Sequence, residues 1–263
     1  MKKLLVALII AGVTLQCTAK PLSYSQKPYA FTKKPYSLTP KTLAAAALAQ
    51  TAPFISKDSI THGKYTLIFI NNSPGFDTLT GQKMIRTFFT VYPREANRFN
   101  KHTLRRVVFI IDPTYDGVAA TGDGVARYNP TWLKDHPEDI DVVTHEVMHI
   151  VQDYKDQDPG CPGWLTEGIA DYVRYVYGVN NLKGGWKLPD FKPSQNYTNA
   201  YRVTARFLLW VQTHKNPHIV DKLDNAARAG NYTPELWVKL TRETVDQLWR
   251  DYSDNPALEL VYH

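Results

Sequence analysis

The pattern of apolar and polar positions divides the chain into a strand-rich stretch and a helix-rich one. YTLIFIN at 65–71 and LRRVVFIID at 104–112 are short runs of β-branched and aromatic residues, each read as a strand. Between them, Thr78 to Val91 carries apolar residues at helical spacing. DGVAATGDGVARYNP follows, in which Asp123-Gly124 suits a tight turn and Gly124 to Tyr128 a short strand leaving it. Beyond Asp139 every periodic stretch is helical: 139–155, 164–177, 198–213, 217–228, 233–240 and 244–252. Strands first and helices after predict an α+β fold, with an N-terminal mixed sheet and one helix followed by a mainly helical half.

Before Tyr65 that pattern is missing. The chain starts MKKLLVALIIAGVTLQCTA, two lysines and an apolar run from Leu4 to Leu15 that is too short to span a bilayer comfortably, so residues 1–19 are expected to be a secretion signal cut after Ala19. The protein is then expected to be secreted, periplasmic or in the cell envelope, and attached to a membrane only if Cys17 is lipidated. Residues 20–58 hold five prolines and the tripeptide Lys-Pro-Tyr twice, which predicts an extended leader with one short alanine-rich helix. Residues 59–263 are left as a single catalytic-sized domain.

Composition adds little to this picture. Hydrophobic residues make up 43% and charged residues 21%, ordinary for a globular chain. Loss of residues 1–19 takes away Lys2 and Lys3, and the net charge falls from +6 to +4. No single stretch is strongly basic: Lys33-Lys34 and Arg105-Arg106 are isolated pairs, so a nucleic-acid partner is not expected. Without Cys17 only Cys161 remains, and the fold must stand on its core without an internal disulfide.

The chemistry is concentrated in VVTHEVMHIVQDY, 142–154. His145 and His149 are four apart, about 40° around a helix, so both imidazoles leave one face and can share a tetrahedral ion. Glu146 stands one position round, within reach of a metal-activated water without being a ligand itself, as in H-E-x-x-H. With eight histidines in the chain, a chance match is on the order of one in a hundred, so a zinc site is preferred to two satisfied core histidines. A third ligand is expected downstream, in PGWLTEGIADYVRY, where Glu167 and Asp171 are again four apart. Glu167 is taken as the ligand and Asp171 as the acceptor of the outer N–H of a zinc histidine. Asp153, Asp156 and Asp158 are the rival ligands.

Taken together, GVAATGDGVARYNPTWL, THEVMHIVQDY, PGWLTEGIADYVRY, YRVTARFLLW and TVDQLWRDY resemble the basic secretory proteins, a family of gluzincin-like zinc metallopeptidases first described in plants. The resemblance covers roughly residues 60–255. The family pattern H-E-x-x-H-x-x-Q falls on His145, Glu146, His149 and Gln152, and E-G-I-A-D-Y-V-R on Glu167 to Arg174, whereas residues 20–58 have no counterpart in it. The resemblance implies a zincin-like catalytic domain and a protein or peptide substrate.

Other expectations carry less. Gly124, Val125, Ala126 and Arg127 could be an edge strand onto which an extended peptide adds. Gly178 to Gln195 could be a lid, a pocket wall or a plain surface loop. Tyr201 is the candidate hydrogen-bond donor to the oxyanion, with Tyr197, His214 and His218 as competitors, and Cys161 is expected to be a small buried residue. The reading is a secreted zinc metallopeptidase in which Glu146 takes a proton from zinc-activated water. The alternative is an envelope protein of this fold that binds peptide or glycan without turnover.

Overall fold

A computed structural model describes residues 55–154 and 160–262. The expected signal segment and nearly all of the expected leader, together with Asp156 and Asp158, lie outside the described residues. Five strands form one mixed sheet: β1 (Ser56–His62), β2 (Tyr65–Asn71), β3 (Arg106–Ile111), β4 (Ala119–Gly122) and β5 (Val125–Tyr128). The order is β1-β2-β3-β5-β4, with β2, β3 and β5 parallel and the outer strands antiparallel to their neighbours. The parallel step from β2 to β3 needs a crossover, and α1 (Thr78–Arg98) supplies it.

Alternation along the strands sends Leu67, Phe69, Val107, Phe109, Ile111, Ala126 and Tyr128 to one buried face, where Met84, Phe88, Val91 and Tyr92 of α1 cover them. The helix was expected to stop at Val91, before Pro93, but it continues to Arg98. Proline removes one backbone donor, which costs a turn its hydrogen bond, while Tyr92, Glu95 and Ala96 keep the inner face buried past that point.

Two further elements escape the pattern. β1 is almost wholly exposed and polar, SKDSITH, so it carries no alternating signal, and its first residues, Ser56 to Asp58, fall in the stretch expected to be leader. A short helix, α2 (Pro130–Asp135), begins at Asn129, whose side chain accepts from the N–H groups of Thr131 and Trp132.

The edge of the sheet is not where the sequence suggested. Asp123 and Gly124, both at positive φ, make the tight turn as expected, but the turn joins β4 to β5. Val125, Ala126 and Arg127 therefore lie between β3 and β4, with main-chain partners on both sides, and Gly124 already gives its carbonyl to the N–H of Val108. None of the four can accept an added strand. Among the described residues β4 is the edge on that side.

The helical half follows as α3 (Val142–Gln152), α4 (Gly163–Tyr177), a single 3-10 turn (Tyr197–Asn199), α5 (Tyr201–His214), α6 (Ile219–Arg228), α7 (Glu235–Thr241) and α8 (Val245–Asp254). Its core is Val143, Val147 and Val151 of α3, Ile169 and Val173 of α4, Phe207, Leu208 and Val211 of α5, and Trp237 and Leu248 behind them. α4 and α5 meet at Gly168, where an added Cβ would lie 2.2 Å from Thr204 Cγ2. The glycine beside Glu167 thus permits the close approach that carries the start of α5 over the histidine helix.

That helix, α3, is held at both ends. At its start the Asp141 carboxylate accepts the backbone N–H groups of Val179 and Asn180, just past α4, and the Thr144 hydroxyl. At its end the carbonyl of Ile150 accepts from Thr103, and that of Val151 from Asn100 Nδ2. Arg228 Nη1 reaches the carbonyls of Val151 and Gln152 at 3.4 Å each. The Asp141 contacts also settle the start of the segment after α4. Arg174 bonds Asn181, and Trp186 and Leu188 are buried, so residues 179–188 are anchored at several points while Val179, Leu182 and Lys183 stay exposed.

Candidate metal centre

His145, Glu146 and His149 lie on α3 and Glu167 and Asp171 on α4, so the two four-residue spacings face each other across the packed helix pair. His145 Nε2 stands 3.1 Å from Glu167 Oε2, His149 Nε2 3.5 Å from the same oxygen, and the two imidazole Nε2 atoms 3.1 Å apart. Among the described residues these three form the group able to hold a metal ion. The rival Asp153 sits at the left-handed C-cap of α3, exposed, and is not in it.

The outer nitrogens define what the inner ones can do. His145 Nδ1 is 2.7 Å from Asp171 Oδ1 and His149 Nδ1 is 2.7 Å from Gln152 Oε1. Both acceptors call for a hydrogen on Nδ1, which leaves two Nε2 lone pairs and a carboxylate oxygen converging on one point. Such a cluster is electrostatically unfavourable unless a cation or protons occupy the middle. A tetrahedral zinc with ligands at about 2.0–2.1 Å spaces them about 3.3 Å apart, close to the three separations found, so the donor set fits zinc in chemistry and in size.

Without an ion, protons take that place. Burial opposes charge on His145, but Asp171 and Glu167 outweigh it and hold its pKa well above the ordinary 6.5; His149 is raised likewise by Glu167. Burial would also raise Glu167, yet the two imidazoles hold it well below the usual carboxylate range. The raised histidine values stabilise the metal-free fold fully below pH 6.5, and that contribution is lost as the pH climbs through the folded-state values. Cation binding must expel those protons. Calorimetric zinc titrations in buffers of different ionisation enthalpy should therefore show proton release near neutrality, with affinity falling as the pH is lowered from there. Zinc uptake with no proton release would show the inner nitrogens to be bare already.

Around this group stand three further side chains, of which the sequence marked only Gln152, as part of the family pattern. Thr121, on edge strand β4, donates its hydroxyl to Glu146 Oε2 at 2.7 Å and so ties the sheet edge to the glutamate beside the histidines. Gln152 bonds His149 as above. Glu95 of α1 is fully buried near His145, with neither carboxyl oxygen hydrogen-bonded to protein, and burial raises its pKa well above the ordinary carboxylate value.

Tyr201 stacks on His145, ring centroids 6.1 Å apart and planes 21° from parallel. Its entry is strained: Ala200 and Tyr201 have φ of 62° and 48° with no glycine, a cost of roughly 1–3 kcal/mol at each position. The competitors stand elsewhere. Tyr197 gives its hydroxyl to Asp246 at 2.7 Å, His214 is at the far end of α5 against Trp210, and His218 caps α6. Cys161 is half-buried, apart from the metal group, and burial pushes its thiol up to about 12.

Comparison with known proteins places this chain in a family. No curated protein matches the chain. Among solved structures, an M1 zinc metallopeptidase from Deinococcus radiodurans bound to a Tyr-Ser-Ala substrate is 14% identical with a TM-score of 0.48, over 79% of this chain and 53% of that one. Aminopeptidase A of Legionella pneumophila in complex with aspartic acid is 15% identical with a TM-score of 0.48, over 75% of this chain and 26% of that one. The chain thus spans about half the length of the first of these and a quarter of the second. Residues 69–252, most of the sequence and all of the site, match the family described as peptidase of plants and bacteria. The chain belongs to that family, the basic secretory proteins.

Proposed function

We propose that the protein is a secreted zinc metallopeptidase. The observation that carries this reading is the convergence of His145 Nε2, His149 Nε2 and Glu167 Oε2 on one point beside Glu146. A zinc ion held by those three would supply Lewis acidity, making a water molecule nucleophilic at neutral pH. Glu146, which is not one of the three, takes the proton from the attacking water and passes it to the departing amine. Thr121 fixes the orientation of that carboxylate, and Asp171 holds the His145 ring. Because β4 is an edge among the described residues and Thr121 belongs to it, an extended peptide that adds to β4 by main-chain hydrogen bonds runs alongside Glu146. The apolar run of residues 4–15 supports export, and Cys17 is the point of attachment if the chain is lipidated.

Purified protein, assayed for metal content and for cleavage of a diverse peptide mixture before and after chelation, tests the reading. Stoichiometric zinc with chelator-sensitive cleavage is expected. Peptide or glycan binding without turnover would favour the non-catalytic alternative instead.

We take Tyr201 as the donor to the oxyanion, and the stacking of its ring on His145 at the entry of α5 supports that choice. Tyr201→Phe should fold, keep zinc and keep substrate affinity, while kcat falls by about 2 to 4 kcal/mol of transition-state stabilisation. An unchanged kcat would leave Tyr201 as a packing residue for the His145 ring.

A further inference from the structure

We infer that Gln152 is a positioning residue for the metal centre: its side-chain amide fixes the tautomer of His149 and thereby the nitrogen offered to the ion. This rests on the zinc reading above and adds to it a residue outside the ligand set.

The amide is oriented by chemistry. Gln152 has one side-chain atom 2.9 Å from the backbone carbonyl of Thr166 and the other 2.7 Å from His149 Nδ1. A carbonyl oxygen only accepts, so the group facing Thr166 has to be the NH2 and the group facing His149 the oxygen. Turned over, the amide would set two oxygens against each other. His149 Nδ1 must then carry a hydrogen, so Nε2, which faces His145 and Glu167, is the nitrogen that gives up its proton to an ion. Gln152 is 1% exposed, so no solvent water can substitute for either contact.

Thr166 immediately precedes Glu167, so the same amide spans from the histidine helix to the helix that supplies the carboxylate. Two roles are therefore combined in it, an acceptor for His149 and a strap between α3 and α4. They differ in what they predict. The acceptor acts on the metal, while the strap acts on the fold whether or not metal is present. The arrangement is also unequal between the histidines, since His145 leans on the carboxylate of Asp171 and His149 on a neutral amide.

Two substitutions separate the roles. Gln152→Met removes acceptor and donor at similar length; Gln152→Glu keeps an acceptor for His149 Nδ1 but loses the amide donor to Thr166. Zinc dissociation constants are read by competition with a chromogenic chelator, and melting temperatures on the metal-free proteins. Gln152→Met should bind zinc about ten- to a hundredfold more weakly, and Gln152→Glu no more than about threefold more weakly than wild type, although both lose the strap and melt lower. Equal weakening in both variants, tracking the fall in melting temperature, would reduce Gln152 to a strap and overturn the inference. So would wild-type affinity in Gln152→Met. Should Gln152→Met fail to fold, Gln152→Glu decides alone: near-wild-type zinc affinity supports the inference and a collapse overturns it. A wild-type chain that binds no zinc overturns the metal reading first and this one with it.

Discussion

Glu146→Gln should leave zinc bound and reduce peptide hydrolysis by at least about a hundredfold, equivalent to about 2.7 kcal/mol of barrier. The side chain keeps its size, and the ligand group His145, His149 and Glu167 does not include it, so metal content is expected to match wild type. Only basicity is lost. The substituted amide can still accept from the Thr121 hydroxyl through its oxygen, so the contact at 2.7 Å survives in kind and the sheet edge keeps its place. Rate and metal content measured on the same sample are what matter. A well-folded, zinc-loaded Glu146→Gln that cleaves at the wild-type rate would remove Glu146 from the chemistry and require another base.

The second large effect separates Glu167 from Asp171, two carboxylates four residues apart on one helix. Glu167→Ala takes away an oxygen 3.1 and 3.5 Å from the two inner nitrogens, and zinc binding should be lost or weakened by several orders of magnitude, since the remaining imidazole pair offers two ligands where a catalytic zinc uses three. Asp171→Asn keeps an oxygen able to accept from His145 Nδ1 and loses the charge, and zinc binding should weaken about ten- to a hundredfold. Zinc affinity in the two purified variants checks the ranking. Equal losses would mean that both carboxylates reach the ion, and an intact site in Glu167→Ala would displace the ligand set altogether.

What the sequence disclosed follows from which interactions are local. His145 with His149, and Glu167 with Asp171, were legible because helical spacing alone puts each pair on one face. β2 and β3 were legible because their apolar runs are long enough to be read by composition. β4 has the sequence AATG, too short and too small to alternate, so the edge was assigned to its neighbour and Thr121 was overlooked. β1 has no buried residue to betray it. Gln152 stood in the quoted motif, but its task depends on a carbonyl of another helix, and Arg228 reaches the end of α3 from 76 residues downstream. Such contacts exist only once the helices have packed.

The division of the ligands between α3 and α4 has a thermodynamic consequence. An unfolded chain can still present the closely spaced histidine pair, but not Glu167 at a fixed distance from it, so an ion that uses all three binds the native state in preference. Each such ion then acts as a clamp across the helix pair. Free zinc at a hundredfold above its Kd would add about 2.7 kcal/mol to the unfolding free energy, an appreciable part of the total for a domain of this kind. The abundance of folded protein would then follow the metal supply around it, quite apart from any effect of zinc on catalysis.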